Sequence, residues 1–228
     1  MSTLFNGATQ ALSIAEIASL VKSFGRSAQL MQSVGVDGIE LQCANGFMLS
    51  QFLSPFTNKR QDMYGGSIQN RARTMKEIIS EIKRNTDSSK FSIIAKINGS
   101  DQDKGGVTPE MAKQTISFLA NEGIDLFKIS HGLIYPWRNV KRSQKRQRQK
   151  LPSLFDEMIH KNKTKDFGEP ISKEVVADFK KKNPNAVLAM NGNLRQFSVM
   201  EDLIKNGTCD LISLGRPLLK EPYLIQKF

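Results

Sequence analysis

Two neighbouring stretches of this chain hold the residues whose types and spacing suit chemistry on a small molecule. The first, GIELQCANGF, spans Gly38 to Phe47, and the second, SPFTNKRQDMYGGSIQNRAR, spans Ser54 to Arg73. The second stretch is polar and interrupted by glycines, and it leads directly into a helical pattern. Loops that follow strands carry the catalytic groups of barrel enzymes. Together these two stretches form the first candidate site.

Two short turns near the carboxyl end form a second candidate site. Asn191-Gly192-Asn193 and Gly215-Arg216 each follow an apolar run. Glycine lets backbone N–H groups approach an anion closely, and arginine adds a bidentate partner. Taken alone, the second turn is equally well explained as an ordinary connection between a strand and a helix. Together the turns favour a phosphate site, since barrels often bind phosphate with the loops after their seventh and eighth strands.

Apolar runs that predict strands alternate along the chain with amphipathic patterns that predict helices. The predicted strands are Gly38 to Leu41, Phe91 to Ile97, Leu126 to Ser130, Val187 to Met190 and Leu211 to Leu214. The predicted helices are Ser13 to Val34, one through Met75 and Ile82, Pro109 to Gly123, Ser172 to Lys182 and Ser198 to Asn206. Short apolar strands separated by helices are typical of a parallel sheet that helices cover. An α/β fold is therefore expected.

The turns decide between a doubly wound sheet and a barrel. No GxGxxG motif follows the first predicted strand, which lowers the odds of a dinucleotide-binding sheet. The polar turns after the last two strands fit the final pair of a TIM-type (β/α)8 barrel. The five strands then represent roughly the last five βα units of an incomplete barrel, whose two free edges would be exposed. Two explanations stay open: a truncated product or incomplete gene model, and a homo-oligomer or partner chain that completes the barrel.

Length and composition predict one domain over residues 1–228, because 39% hydrophobic residues can bury a single core. The formal net charge of +11 favours anionic partners without deciding the fold. Cys43 and Cys209 lack CxxC spacing and predict neither a disulfide framework nor a metal site, so a reducing compartment is expected. No secretory leader pattern and no long apolar run is present. We therefore expect a cytoplasmic protein without a membrane partner.

The pattern NKRxDxYGGSxxNRxR, which starts at Asn58, resembles the old yellow enzyme family of flavin-dependent enzymes, also called NADH:flavin oxidoreductases. The resemblance extends from about Leu12 to Phe228 and weakens only between Tyr135 and Glu169. It implies the same barrel. Within the pattern, Gly65 and Gly66 permit backbone conformations closed to other residues. Three polar residues at the start of the next helix are expected to tie the loop down, namely Asn70, Arg71 and Arg73.

The resemblance implies which residues would meet the substrate. A His, or a His and an Asn, binds the carbonyl of an activated alkene in that family, and a Tyr donates the proton. The matching positions here are Gln42, Asn45 and Phe47. Gln42 can still donate a hydrogen bond, whereas Phe47 has no exchangeable proton, so alkene reduction is expected to be slow. The alternatives are that Gln42 and Phe47 only fill the barrel mouth and that Asn45 is a turn residue before Gly46.

The same resemblance implies FMN as the cofactor and NAD(P)H as the reductant. The FMN phosphate would lie against Gly192, Asn193, Gly215 and Arg216, where the two candidate turns meet. Lys96 stands where the family places an Arg near N1 and the C2 oxygen of the flavin, which keeps the cation without its planar fork. Because the flavin supplies the redox chemistry, a chain that does not bind it has no oxidoreductase activity.

A basic stretch at residues 138–150 contains seven Lys and Arg residues and no acidic residue. A solvated loop is the first interpretation. The alternatives are attraction of nucleic acid or phosphate, or a lid that steers NAD(P)H to the barrel mouth. Nucleic-acid binding is not favoured, because the chain has only one Trp and three Tyr and no recognisable nucleic-acid-binding motif.

Together these observations predict an FMN-dependent oxidoreductase that passes hydride from NAD(P)H to an electron-poor small molecule such as an α,β-unsaturated carbonyl. The alternative is a catalytically inactive truncated remnant, or a binding protein that uses its basic surface or an open sheet edge.

Overall fold

The computed structural model describes residues 10–101, 104–130, 132, 172–192, 194 and 196–227. The strands are β1 (Gly38–Cys43), β2 (Ser92–Asn98), β3 (Leu126–Ser130), β4 (Leu188–Asn191) and β5 (Leu211–Ser213). The helices are α1 (Ile14–Ser33), α2 (Met48–Leu53), α3 (Ile68–Asn85), α4 (Pro109–Ala120), α5 (Lys173–Lys182), α6 (Phe197–Lys205) and α7 (Arg216–Lys220), followed by a 3₁₀ turn (Leu224–Lys227). Within these residues no helix is both long and apolar enough to cross a membrane.

All five strands are parallel and form one sheet in the order β1-β2-β3-β4-β5. Each connection therefore moves one strand along in the same direction. A doubly wound sheet reverses its strand order at a switch point, and this sheet does not. The predicted α/β fold is confirmed, and each predicted strand ends within two residues of the observed one. The architecture is that of part of a (β/α) barrel.

Local sequence signals explain where the first helix starts and stops. The Ser13 hydroxyl accepts from the Glu16 N–H at 3.2 Å, and the Glu16 carboxylate accepts from the Ser13 N–H at 2.7 Å, which makes a capping box. Gly35 follows the helix with a φ of 86°, and its N–H donates to the Gln32 carbonyl at 3.0 Å. The helix predicted over Ser13 to Val34 is therefore confirmed to within one residue at each end.

The hydrophobic core lies between the sheet and the helices that cover one of its faces. Alternate strand residues point into this layer, namely Leu41 and Cys43, Ile93, Ala95 and Ile97, Phe127 and Ile129, and Leu188 and Met190, all of them buried. Helix α3 contributes Met75, Ile78, Ile79 and Ile82, each fully buried. The residues between these on the strands therefore face the opposite side of the sheet, which is the interior of a barrel.

The interior face is only partly covered by the described residues. Val187 is 40% exposed and Leu211 is 48% exposed, although both are apolar. Strands β1 and β5 each pair with one neighbour, so each has one edge with unpaired backbone groups in the described part of the chain. Free edges and half-exposed interior side chains are what an incomplete barrel leaves behind.

One element was not predicted from the sequence. Helix α2 begins at Met48, between the two candidate stretches, where no element was predicted, and it buries Leu49, Phe52 and Leu53. Its six residues are too few to show a helical period, and no side chain caps its start at Phe47. The stretch after β1 is therefore a short helix followed by a loop, and this arrangement sets where Phe47 lies.

Candidate active site at the carboxyl ends of the strands

Polar side chains line the interior face of the sheet near the carboxyl ends of β1, β2 and β3. Gln42 is aligned with Lys96 on the next strand, and Lys96 is aligned with Lys128 on the strand after that. Two residues further along, Asn98 is aligned with Ser130. Carboxyl ends of parallel strands open onto one edge of the sheet, where barrel enzymes build their sites. The structure therefore brings Gln42 and Lys96 together, as the proposed site requires.

Two side-chain oxygens at this edge have no donor. Oε1 of Gln42 and Oδ1 of Asn191 are buried, and neither has a hydrogen-bond partner among the described residues. Buried polar atoms in folded proteins are nearly always paired with protein or water. An incoming N–H or O–H group could satisfy either oxygen, which is the property expected of a ligand site.

Asn45 is held in the turn after β1 by contacts to two other strands. Its φ of 59° is in the left-handed region, and its side chain is buried. Its N–H donates to Oδ1 of Asn98 at 3.2 Å, and Nδ2 lies 3.3 Å from Oγ of Ser130 and 3.2 Å from the Gly132 carbonyl. Asn45 therefore joins the ends of β1, β2 and β3, in addition to the substrate contact predicted for it.

Asp101 organises the loop after β2 beneath this edge. Its carboxylate is 1% exposed and accepts from Oγ of Ser54 at 2.5 Å, from Nδ2 of Asn98 at 2.8 Å and from the N–H of Val107 at 2.8 Å. Since Asn98 in turn binds Asn45, the loop after β1 and the loop after β2 are connected through one buried carboxylate.

Phe47 occupies the start of α2, next to the mouth. Its ring is 39% exposed, and its backbone N–H donates to the Ala44 carbonyl at 3.3 Å. A phenyl ring offers apolar contact area and no proton. The position predicted for a proton donor is therefore accessible, but the side chain there cannot perform that step.

The long polar loop after α2 is fixed by its own ion pair. Nη2 of Arg60 lies 2.5 Å from Oδ2 of Asp62, and Nη1 of Arg60 donates to the Leu12 carbonyl at 2.6 Å. The hydrogen bond from Arg60 lowers the pKa of Asp62, and the same contact raises the pKa of Arg60. The Tyr64 N–H donates to Asp62 at 3.0 Å. These residues build the loop and do not point to a ligand.

The polar residues at the start of α3 tie the loop down, as predicted. Nε of Arg71 donates to the Leu53 carbonyl at 2.8 Å, and Nε of Arg73 donates to the Met63 carbonyl at 2.8 Å. Oδ1 of Asn70 accepts from Arg73 at 3.1 Å. Arg71 and Arg73 therefore hold the loop through backbone carbonyls, and Asn70 contributes through its contact with Arg73.

The two adjacent glycines of this loop are needed for different reasons. A Cβ on Gly65 would lie 2.0 Å from the Arg60 carbonyl oxygen, whereas a Cβ on Gly66 would meet nothing within 4 Å at a φ of +80°. We expect Gly65→Ala to lower the free energy of unfolding by about 3 kcal/mol through overpacking. Gly66→Ala should cost only about 1 kcal/mol of backbone strain. Urea unfolding of both variants measures the difference, and equal losses would contradict the close approach.

Lys96 is a partly buried cation in the middle of the interior face. It makes no hydrogen bond or ion pair with a described residue. Burial lowers the pKa of Lys96, and the neighbouring Lys128 acts in the same direction, while Glu40 opposes both. An ammonium group that makes no hydrogen bond or ion pair with a described residue is available to an electron-rich atom of a ligand.

The glycine turns predicted to bind phosphate are only partly placed. Gly192 has a φ of +93°, and added Cβ atoms on Gly192 and Gly215 would meet no atom of the described residues within 4 Å. Asn193 and the side chain of Arg216 lie outside the described residues, as does the basic stretch 138–150. The joint grip on one phosphate therefore stays a prediction.

Sequence reasoning missed three residues that shape the edge: Asn98, Asp101 and Ser130. A signal for two of them was present, because the apolar patterns of β2 and β3 each close on a small polar residue. In a parallel sheet these closing residues meet at one edge. Asp101 carries no comparable signal, since its partners come from distant loops.

The sequence model of the NADH:flavin oxidoreductase / NADH oxidase family matches residues 3–228. The chain belongs to this family. The matched region includes both candidate stretches and both glycine turns, so the resemblance seen in the loop pattern is confirmed over nearly the whole chain.

Curated relatives in the NADH:flavin oxidoreductase / NADH oxidase family are about twice as long as this chain. The NADH-dependent flavin oxidoreductase iccE of Talaromyces variabilis is 28% identical over 230 residues, which cover 98% of this chain and 51% of that protein. An NADPH dehydrogenase of Geobacillus sp. (strain WCH70) is 28% identical over 209 residues, covering 92% of this chain and 53% of the relative. The chain therefore spans about half the length of the curated relatives it matches.

Solved structures share the fold of this family member. A 2-naphthoyl-CoA reductase in complex with 2-naphthoyl-CoA has a TM-score of 0.76 at 24% identity, covering 96% of this chain and 30% of that chain. The old yellow enzyme homologue from Zymomonas mobilis has a TM-score of 0.72 at 21% identity, covering 97% of this chain and 54% of that chain. These similarities confirm a TIM-type barrel as the fold to which the five strands belong.

Proposed function

We propose that this chain carries the carboxyl-terminal part of an FMN-dependent NAD(P)H oxidoreductase site, with an electron-poor small molecule such as an α,β-unsaturated carbonyl as acceptor. The observation that carries the proposal is the alignment of Gln42 with Lys96 at the carboxyl ends of the strands, which puts an amide donor beside a cation. Family membership supports the reaction class. Both NADH- and NADPH-dependent relatives occur, so the reductant is either.

The residues present fit FMN at two places. Lys96 offers a cation without a partner in the described part of the chain, which suits the electron-rich N1 and C2 oxygen edge of a flavin. The backbones at Gly192 and Gly215 are not crowded by any described residue, as a phosphate cradle requires. When bound, FMN accepts hydride from NAD(P)H and passes it to the acceptor.

Gln42, Asn45 and Phe47 would have different roles toward the acceptor. The Gln42 amide donates to the acceptor carbonyl, which stabilises negative charge that develops there. Asn45 contributes through the turn it fixes between three strand ends. Because Phe47 cannot donate a proton, water must protonate the product carbon, and alkene reduction is slow. Flavin reduction by NAD(P)H and its reoxidation by oxygen need no such donor.

A non-catalytic binding protein is the second candidate. The observation that favours it is the half-exposed interior face, where Val187 and Leu211 remain open to solvent among the described residues. In that case the sheet edges of β1 and β5 accept further strands.

Spectroscopy on the purified protein tests the enzyme proposal. We expect a yellow protein, or a colourless one that takes up added FMN stoichiometrically, whose blue absorbance bleaches on adding NADH or NADPH. Light scattering on the same sample gives its mass and shows whether it carries a second chain. A colourless preparation that takes up no FMN, whatever its mass, would leave only the binding-protein interpretation.

A further inference from the structure

An ion pair crosses the interior face of the sheet beneath Lys96. Glu40 belongs to β1 and Lys128 belongs to β3, yet Nζ of Lys128 lies 2.5 Å from Oε2 of Glu40. Strand β2 lies between those two strands, so the pair must span it. Glu40 is aligned with Ile94, two residues before Lys96, which places the pair on the amino-terminal side of Lys96.

This ion pair offsets the repulsion between two lysines that the strand register places side by side. Lys96 and Lys128 are aligned on adjacent strands and share one face, and like charges directly opposite each other are destabilising. Lys128 reaches diagonally to Glu40 and is neutralised there. Lys96 has no hydrogen bond or ion pair of its own among the described residues. Lys128 is therefore neutralised within the sheet, whereas Lys96 remains available to a ligand.

Glu40 is the natural competitor for Lys96. The two residues lie on adjacent strands at diagonal positions of the same face, a distance that long side chains can span. With its side chain 34% exposed, Glu40 has room to move. If Lys128 did not hold this carboxylate, it would pair with Lys96 and neutralise it.

We propose that Lys128 is a positioning residue that acts through Glu40: by holding the Glu40 carboxylate across β2, it keeps Lys96 unpaired and presented to the electron-rich edge of the flavin. This inference rests on the proposed function, since it concerns how the chain binds FMN. It adds a role for two residues that the candidate site did not include.

A double-mutant cycle distinguishes this positioning role of Lys128 from a purely structural role of the Glu40–Lys128 ion pair. We expect Lys128→Met to raise the Kd for FMN about tenfold, because one hydrogen bond to a charged group is lost. Glu40→Gln should leave the Kd close to wild type, and the double variant Glu40→Gln with Lys128→Met should return to within about twofold of wild type. The midpoint potential of bound FMN should fall in Lys128→Met and recover in the double variant, since a cation near N1 favours the reduced, anionic flavin.

The matched control is Lys76→Met, which removes a lysine that pairs with Glu122 at 2.7 Å on the outer helices. It should leave the Kd for FMN unchanged. If both single variants weaken FMN binding alike and the double variant stays weak, the ion pair is only a strut and the proposal is wrong. An unchanged Kd in Lys128→Met overturns it as well.

A measurement without flavin keeps the test independent of the proposed function. The charged groups facing Lys96 among the described residues are Glu40 from β1 and Lys128 from β3, while the aligned residue of β4 is Ala189. Carbon-13 NMR of labelled lysines should show the pKa of Lys96 rising in Lys128→Met and falling back in the double variant. Failure of wild type to bind FMN would refute the proposed function alone. An unmoved Lys96 pKa would refute the role of Lys128.

Discussion

The Phe47→Tyr variant is expected to reduce an α,β-unsaturated carbonyl about 100-fold faster than the wild-type protein, because a positioned general acid contributes roughly 10² to 10⁴ in rate. Phe47 is 39% exposed at the start of α2, so a hydroxyl can be added without burying a polar atom. Single-turnover reduction of the alkene by NADPH-reduced, FMN-saturated protein measures the effect. The rate of flavin reduction by NADPH should not change, since that step needs no proton donor.

Phe56→Tyr is the matched control for this prediction. Phe56 is 40% exposed and lies in the loop after α2, so it accepts the same hydroxyl at nearly the same exposure. We expect no gain in alkene reduction from it. A similar acceleration in both variants, or none in Phe47→Tyr while the flavin is still reduced normally, would show that Phe47 does not occupy the donor position.

Replacing Asp101 with Ala is expected to lower the free energy of unfolding by about 4 kcal/mol. The substitution removes the acceptor of the buried Ser54 hydroxyl and of the partly buried Val107 N–H. It also removes one of the two acceptors of Nδ2 of Asn98, which keeps the Gly132 carbonyl at 3.3 Å. A single buried group left unpaired costs about 1 to 3 kcal/mol, and the three contacts share one site, so their costs do not simply add. Urea unfolding followed by circular dichroism measures the loss.

The effect should reach the active-site edge as well as global stability. Asn98 binds both Asp101 and the backbone of Asn45, so losing the carboxylate loosens the turn that carries Asn45. Asp202→Ala is the control, because Asp202 is exposed on α6 and should change stability by less than about 0.5 kcal/mol. Comparable losses in both variants would mean that the Asp101 network does not stabilise the loops.

Much of the fold follows from local pattern. Gly35 follows the end of α1, and Thr108 accepts from the Met111 N–H at 3.3 Å at the start of α4, whose predicted first residue was Pro109. These signals act over a few residues and do not depend on packing. Helix α2 escaped prediction for the opposite reason, since six residues gain their helical state from burying Leu49, Phe52 and Leu53.

The residues of the candidate site were named from the sequence and their roles stay predictions, whereas their contacts could not be predicted. Gln42, Asn45, Phe47 and Lys96 were named from sequence, and the structure places Gln42 and Lys96 in one register row. The contact between Asn45 and Ser130 joins residues 85 positions apart, which no local pattern encodes. The phosphate grip of Asn193 and Arg216 stays a prediction.

The sequence by itself determined the strands, their order of appearance, the helix caps and the family, because periodicity and motif spacing are properties of neighbouring residues. Only the tertiary structure decided how charges are shared on the interior face. Glu40, Lys96 and Lys128 are three ionisable residues of unrelated segments until the register aligns them. The pairing of Glu40 with Lys128 across β2 then leaves Lys96 without an ion pair to a described residue.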